Sequence, residues 1–250
     1  MGTLTEVHSA GEMARAGALG APVIGINNRN LATLGVDLDT TPELAPLAPP
    51  SALLIAESGI RSHRDVRRLR DSVDGFLVGT ALMRAADPDR AARRLVFGPT
   101  KVCGLTRPED AAAAARAGAT HGGIIFAPES PRAVTTARAV DLVRAAPLAW
   151  VGVFADQPAD YVARTAATLG LEAIQLHGDE SDDYSAQLRS LLPPECAIWR
   201  ARRVADDPIA EPSGPVDAIL LDAYTPGRRG GTGRTFDWAL LDSIAAPERF

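Results

Sequence analysis

Two side chains in this sequence have the types and settings that acid–base chemistry needs. Cys103 closes the short apolar run Lys101-Val102-Cys103 and is followed at once by Gly104 and a helix start. Lys101, two residues earlier, projects to the same face of a strand. A neighbouring ammonium and the N-terminus of a following helix both favour thiolate, so Cys103 can act as a general base or a nucleophile. An isolated cysteine is more often a small buried apolar residue, and that reading stands beside the chemical one. Asp222 closes a second run, Ala218-Ile219-Leu220-Leu221. Partial burial favours the protonated form of a carboxyl group, which suits a general acid. A helix cap or an ion pair is the plainer alternative at that position.

Other polar residues fall at comparable places. His177, in Gln175-Leu176-His177-Gly178-Asp179-Glu180, ends an apolar stretch and can line a site. Gly230-Gly231-Thr232-Gly233 precedes a helix start at Phe236 and offers backbone N–H groups to a phosphate or carboxylate, or is an ordinary loop. It is not a P-loop pattern. Ser58-Gly59 and Gly79-Thr80 follow strands and suit either a phosphate cradle or turn chemistry. Cys196, beside Pro193-Pro194, reads as structural. His8, His63 and His121 lack the spacing of metal ligands, and no nucleophile-elbow or dinucleotide fingerprint occurs.

The elements that position these residues alternate. In the first part the pattern predicts strands over 3–7, 22–26, 52–56 and 75–78, with helices over 10–19 and 63–70. A charged segment over 87–100, with Pro88 and Pro99, marks a boundary and finishes a helix over 89–95. Beyond it the pattern predicts strands over 100–103, 122–126, 149–154, 173–176, 197–200 and 216–221. Helices over 108–117, 135–145, 159–169, 182–191 and 236–244 fill the gaps, and Thr106 is placed to cap the first of them. The strands are short and continuously apolar, as buried parallel strands are. Cys103, Pro128 with Arg132, Asp156, His177, Arg200 and Asp222 follow six successive strands. A doubly wound sheet gathers ligands at one switch point, whereas a barrel draws on many strand ends, so the pattern favours a (β/α) barrel.

Composition bounds the alternatives. The 250 residues are 46% hydrophobic, enough to bury one large α/β domain or two smaller ones. The net charge of −5, with arginines spread over helices, argues against a nucleic-acid partner. Two cysteines build no disulfide framework, which suits the cytoplasm, and no apolar run approaches membrane-spanning length. Lys101 is the only lysine, so chemistry that needs two lysines has no place here.

These motifs carry a resemblance. Lys101-Val-Cys-Gly-Leu-Thr-Arg-Pro-Glu-Asp110, Ile125-Phe-Ala-Pro-Glu-Ser-Pro-Arg132, Val151-Gly-Val-Phe154, Gln175-Leu-His-Gly-Asp-Glu180, and Leu221-Asp-Ala-Tyr224 with Gly230-Gly-Thr-Gly-Arg-Thr-Phe-Asp-Trp238 resemble phosphoribosylanthranilate isomerase, in the family's order. Upstream, Leu4-Thr-Glu-Val7, Gly25-Ile-Asn-Asn-Arg-Asn-Leu31, Ala56-Glu-Ser-Gly-Ile60 and Gly75-Phe-Leu-Val-Gly-Thr-Ala-Leu-Met83 resemble the second half of indole-3-glycerol-phosphate synthase. The resemblance implies an α/β fold of two incomplete (β/α)8 barrels in tandem, over 1–95 and 100–250, with four strand–helix units and then six. It also implies an Amadori rearrangement of N-(5-phosphoribosyl)anthranilate, a step of tryptophan biosynthesis. Cys103 would be the base and Asp222 the acid, while Arg132, His177, Gly231 and Gly233 would contact the phosphorylated substrate, with no metal or organic cofactor. Glu6, Asn27, Arg29, Glu57, Ser58, Gly59, Gly79 and Thr80 would be the remnant of a synthase site. The two lysines and early glutamate of that family have no counterparts here, so synthase activity is not expected.

The isomerase family's seventh and eighth strands, whose glycine-rich ends hold the substrate phosphate, likewise find no match. Three further readings of the chain stand beside the isomerase with six strands. One is a catalytically inactive partial barrel. Another is a hybrid barrel in which two synthase strands join the six that follow, with strand 52–56 pairing strand 216–221. The third, a redox protein using Cys103, lacks a second cysteine at redox spacing. The sequence leaves the oligomeric state open.

Overall fold

The computed structural model describes residues 2–204, 214–223 and 235–243. Two compact units emerge, 1–100 and 101–250. The first carries β1 (Thr5–Val7), α1 (Ala10–Ala18), β2 (Val23–Asn27), α2 (Thr40–Leu44), β3 (Leu53–Glu57), α3 (His63–Leu69), β4 (Gly75–Leu77), α4 (Thr80–Met83) and α5 (Pro88–Phe97). Its four strands are parallel in the order β1-β2-β3-β4. Val7, Ile24 and Ile26 are buried with Met13 and Ala16 of α1 and with Leu44, so the helical layer covers one face of the sheet. Ala56, Ile60, Leu69 and Leu95 form a second cluster beside it. At the start of α3, Ser62 accepts from the Asp65 N–H and the Asp65 carboxylate accepts from the Ser62 N–H, a reciprocal capping box. Ser62→Ala should therefore cost about 1 kcal/mol, read as a lower urea midpoint with an unchanged slope.

The second unit carries β5 (Lys101–Cys103), α6 (Pro108–Arg116), β6 (His121–Ile125), α7 (Thr136–Ala145), β7 (Ala149–Phe154), α8 (Ala159–Leu169), β8 (Ala173–Leu176), α9 (Asp182–Leu191), β9 (Ala197–Val204) and β10 (Ala218–Ala223). All six strands are parallel, in the order β10-β9-β8-β7-β6-β5. Side chains alternate across the sheet. Ile124, Trp150, Phe154, Ile174, Leu176, Ile198 and Ile219 pack outward on Ala111, Ala115, Ala139, Leu142, Val162, Ala166 and Leu188 of the helices. Alanine at so many helix positions lets the helices lie close to the strands. Gly122 makes room for the Trp150 ring, since a Cβ there would come within 2.6 Å of it.

The opposite face carries Lys101, Cys103, His121, Gly123, Gln175 and Trp199. On that face the sheet curls on itself. The Lys101 Nζ of β5 reaches the Gln175 Oε1 of β8 at 2.9 Å, and the His121 and Trp199 rings, on β6 and β9, lie 5.6 Å apart. Strands three places apart in a flat sheet would be separated by about 14 Å. Coiling of this kind is barrel curvature, and the fold class is α/β with two incomplete barrels in tandem.

Four expectations need correction. Strand 52–56 does not pair strand 216–221: β3 is flanked by β2 and β4, and β10 pairs with β9, so the hybrid barrel is ruled out. Thr106 does not cap α6; the cap residue is Arg107, whose guanidinium pairs with Asp110 through two 2.8 Å hydrogen bonds. Arg200 lies inside β9 on the outward face, donating to Asp182 Oδ1 at 2.5 Å and Ser185 Oγ at 2.6 Å. It therefore ties the strand to α9 instead of ending in a site. The helix expected over 236–244 is, among the described residues, a 3-10 helix over Trp238–Ser243.

Candidate active site

The open end of the second sheet, where the strands hand over to loops, gathers most of the reactive side chains. Cys103 is exposed there, which removes the buried-thiol alternative for it. Cys196 is the contrast: it is buried in the outer core, and desolvation pushes its thiol up to about 11. Sγ of Cys103 and Nζ of Lys101 both stand over Gly123, each 2.9 Å from where a Cβ on that residue would be. A side chain at 123 would displace both groups. Gly104, at φ +79°, turns the chain immediately after the cysteine, a conformation suited to glycine. Arg132 lies against Gly104, and its Nη1 donates to the Cys103 carbonyl at 3.2 Å. The guanidinium is thereby held against the backbone at Cys103 and Gly104.

Asp222, near the end of β10, is reached from β8. His177 Nε2 lies 3.4 Å from Asp222 Oδ2, and His177 Nδ1 lies 3.0 Å from Gln175 Nε2. Gln175 in turn accepts from Lys101. Lys101, Gln175, His177 and Asp222 thus form one chain of contacts, and Cys103, with Arg132 on its carbonyl, stands with Lys101 over Gly123 on the same face. Gly231 and Gly233 lie outside the described residues. Arg203, laterally paired with Asp222, extends the rim of positive charge and holds Asp179 at 3.3 Å. Gln175 and Arg203 were missed as site residues. The available signal was their alternation with His177 and Asp222 on the inward face.

The His177 imidazole is held below its usual range, chiefly by burial and then by the charges of Arg203 and Lys101, against the raising effect of Asp222. The neutral ring is favoured in the fold. This contribution to stability is complete above the ordinary value of 6.5 and is lost as the pH falls through the lower native value. Urea midpoints measured from pH 7.5 downward should show this loss, and His177→Asn should flatten the slope.

Neighbouring loops are fixed by local carboxylates. Glu180 accepts from the N–H groups of Asp156 and Gly178, both at 2.9 Å, and burial pushes its carboxyl up. Asp156, at φ +57°, accepts from the Asp179 N–H at 2.7 Å, so it holds the loop. A cleft of about 450 Å³ opens here between Pro128, Glu129 and Ala155–Pro158. Neither Cys103 nor Asp222 lines it, and the linked polar side chains mark the site better than the cleft does.

The first unit brings its own set together. Asn27 Nδ2 donates to Glu6 at 2.6 Å, and His8 lies 3.1 Å from the same oxygen. Burial, reinforced by the Glu6 charge, pushes the Glu57 carboxyl up. Ser58 adopts φ +63°, and its carbonyl accepts from Asn28 Nδ2 at 3.1 Å. Gly59 follows at φ +81°, while Gly79 and Thr80 open α4. Arg29 turns to the Leu34 carbonyl at 3.2 Å. A cleft of about 330 Å³ is lined by His8, Asn27, Asn28 and Arg29 among others. Among the described residues no group of three or more His, Cys, Asp or Glu side chains is placed to hold a metal ion.

Comparison with known proteins gives this arrangement a family. Residues 100–249 match the family model of N-(5'-phosphoribosyl)anthranilate (PRA) isomerase. The chain belongs to the PRA isomerase family. Residues 1–95 match the model of indole-3-glycerol phosphate synthase. Tryptophan biosynthesis protein TrpCF of Yersinia pestis is 48% identical over 241 residues, covering 96% of this chain and 50% of that protein. The protein of the same name from Vibrio cholerae is 47% identical, with 96% and 51% covered. The chain therefore spans about half the length of these curated relatives. The crystal structure of phosphoribosyl anthranilate isomerase from Thermus thermophilus aligns with a TM-score of 0.51 at 31% identity, over 60% of this chain and 73% of that one.

Proposed function

We propose that the second unit, over 100–250, catalyses the Amadori rearrangement of N-(5-phosphoribosyl)anthranilate to 1-(2-carboxyphenylamino)-1-deoxyribulose 5-phosphate. Residues 1–95 are then the C-terminal half of a synthase-like barrel. The observation that carries the reading is the pairing of an exposed thiol at the end of β5 with a carboxyl group at the end of β10. Both belong to one inward face, where Lys101 stands with the thiol over Gly123 and connects through Gln175 and His177 to the carboxyl group.

In this reading Asp222 protonates the furanose oxygen as the anthranilate nitrogen forms a C=N bond, opening the ring to a Schiff base. Cys103 takes the proton from C2, and the electron pair left behind makes the enolamine. Reprotonation at C1 with loss of the enol proton gives the ketone, so the reaction is a net isomerisation. Arg132, anchored beside Cys103, faces the anthranilate carboxylate, and the backbone N–H groups of Gly231 and Gly233 serve the substrate anion. The substrate is a small phosphorylated molecule, and the setting proposed is the cytoplasm. No helix among the described residues is long and apolar enough to cross a membrane.

The chemistry is tested by supplying the substrate to the purified chain in D₂O and recording the product by proton NMR. Rearrangement places one solvent deuterium on the C1 methylene. Recovery of unchanged substrate, or of free anthranilate from simple hydrolysis, would contradict it.

A further inference from the structure

The contacts that join Lys101 to Asp222 have a direction, and the chemistry of the groups fixes it. An ammonium only donates, so Lys101 must face an acceptor, and it lies 2.9 Å from Gln175 Oε1. That choice turns Nε2 of the amide, which also only donates, toward His177 Nδ1 at 3.0 Å. The opposite amide orientation would set the amide NH2 against the Lys101 ammonium, donor against donor. His177 Nδ1 must then be the acceptor, and the single proton of a neutral ring sits on Nε2. That nitrogen faces Asp222 Oδ2 at 3.4 Å. Every member of the chain donates toward the carboxyl group. Gln175 is buried at 4% exposure, so water does not substitute readily for either of its contacts.

We propose that Gln175 is a positioning residue that passes on the orientation set by Lys101, holding His177 as the neutral Nε2–H tautomer so that it donates to Asp222. One carboxyl oxygen is then engaged by His177, and the other is left to carry the proton delivered to substrate. The use made of the tautomer rests on Asp222 acting as the general acid, whereas the tautomer itself does not. The charged groups facing the His177 ring are Lys101 on β5, Arg203 on β9 and Asp222 on β10. The two cations oppose protonation of the ring and the carboxylate favours it.

The test is two-bond proton–nitrogen NMR of the full chain labelled with ¹⁵N-histidine. Its four histidines give few signals, and His177→Asn assigns the one that matters. At pH 7.5 His177 should show the pattern of a ring protonated at Nε2. In Gln175→Glu a carboxylate accepts where an amide donated, so the proton should move to Nδ1 or the ring should become imidazolium. A wild-type ring protonated at Nδ1, or averaging between tautomers, overturns the proposal. So does a folded Gln175→Glu chain that keeps the Nε2–H pattern. In turnover, Gln175→Met keeps the volume without the hydrogen bonds and should lower kcat about tenfold or more at unchanged KM, with a shifted acid limb of the pH profile. A rise in KM alone contradicts a positioning role. A wild-type chain that shows the Nε2–H pattern but no turnover would overturn the proposed reaction while supporting the relay.

Discussion

Cys103→Ala is expected to leave the fold intact and to remove turnover. The thiol is exposed at the open end of β5, so its loss deletes little buried surface and should change stability by no more than about 0.5 kcal/mol. Its setting is chemical instead. Gly123 makes room for Sγ and the Lys101 ammonium together, and Gly104 and Arg132 close around the carbonyl of the same residue. A positioned base contributes about 10²–10⁴-fold to a proton transfer, and kcat should fall by that order while the urea midpoint stays put. Kinetics and denaturation run on the same preparation check both halves. A midpoint that falls with activity would make the cysteine structural.

Phe154→Ala should have the largest effect on stability. The ring is fully buried in the outer layer, stacked on Phe126 at 5.0 Å and 15°, with Tyr161 edge-on at 6.3 Å. Gly152 is shaped to it, since a Cβ there would lie 2.6 Å from the ring. Neighbours so closely fitted cannot collapse into the space left behind, and removal should cost about 3–5 kcal/mol. That is a large part of the roughly 5–15 kcal/mol that holds a typical domain together. The urea midpoint should drop sharply, and any loss of turnover should track the unfolded fraction.

These two residues also show what the sequence made legible. Phe154 sits in a run of apolar residues bounded by Pro147 and Asp156, and every strand expected from such runs is present within a few residues. Buried parallel strands advertise themselves because both faces are covered. The two short helices Thr40–Leu44 and Thr80–Met83 went unseen because four or five residues cannot display a helical period. The strand-end position of Cys103 was recognisable from the helix start that follows it. Gln175 was not, because its role depends on Lys101, which lies 74 positions away and is brought close only by the curl of the sheet. Arg200 misled for a related reason: β9 runs on to Val204, so a residue expected at the strand end lies within it, on the outward face. The hybrid barrel failed because a strand count says nothing about which edges pair.

The most direct measurement is turnover of N-(5-phosphoribosyl)anthranilate by the purified chain, followed as the loss of anthranilate-ribosyl fluorescence. If Cys103 and Asp222 perform the rearrangement, the signal should decay at a rate proportional to chain concentration, and the decay should vanish in both Cys103→Ala and Asp222→Asn. A wild-type chain that leaves the signal unchanged even at high concentration, or a Cys103→Ala chain as fast as wild type, would contradict the account.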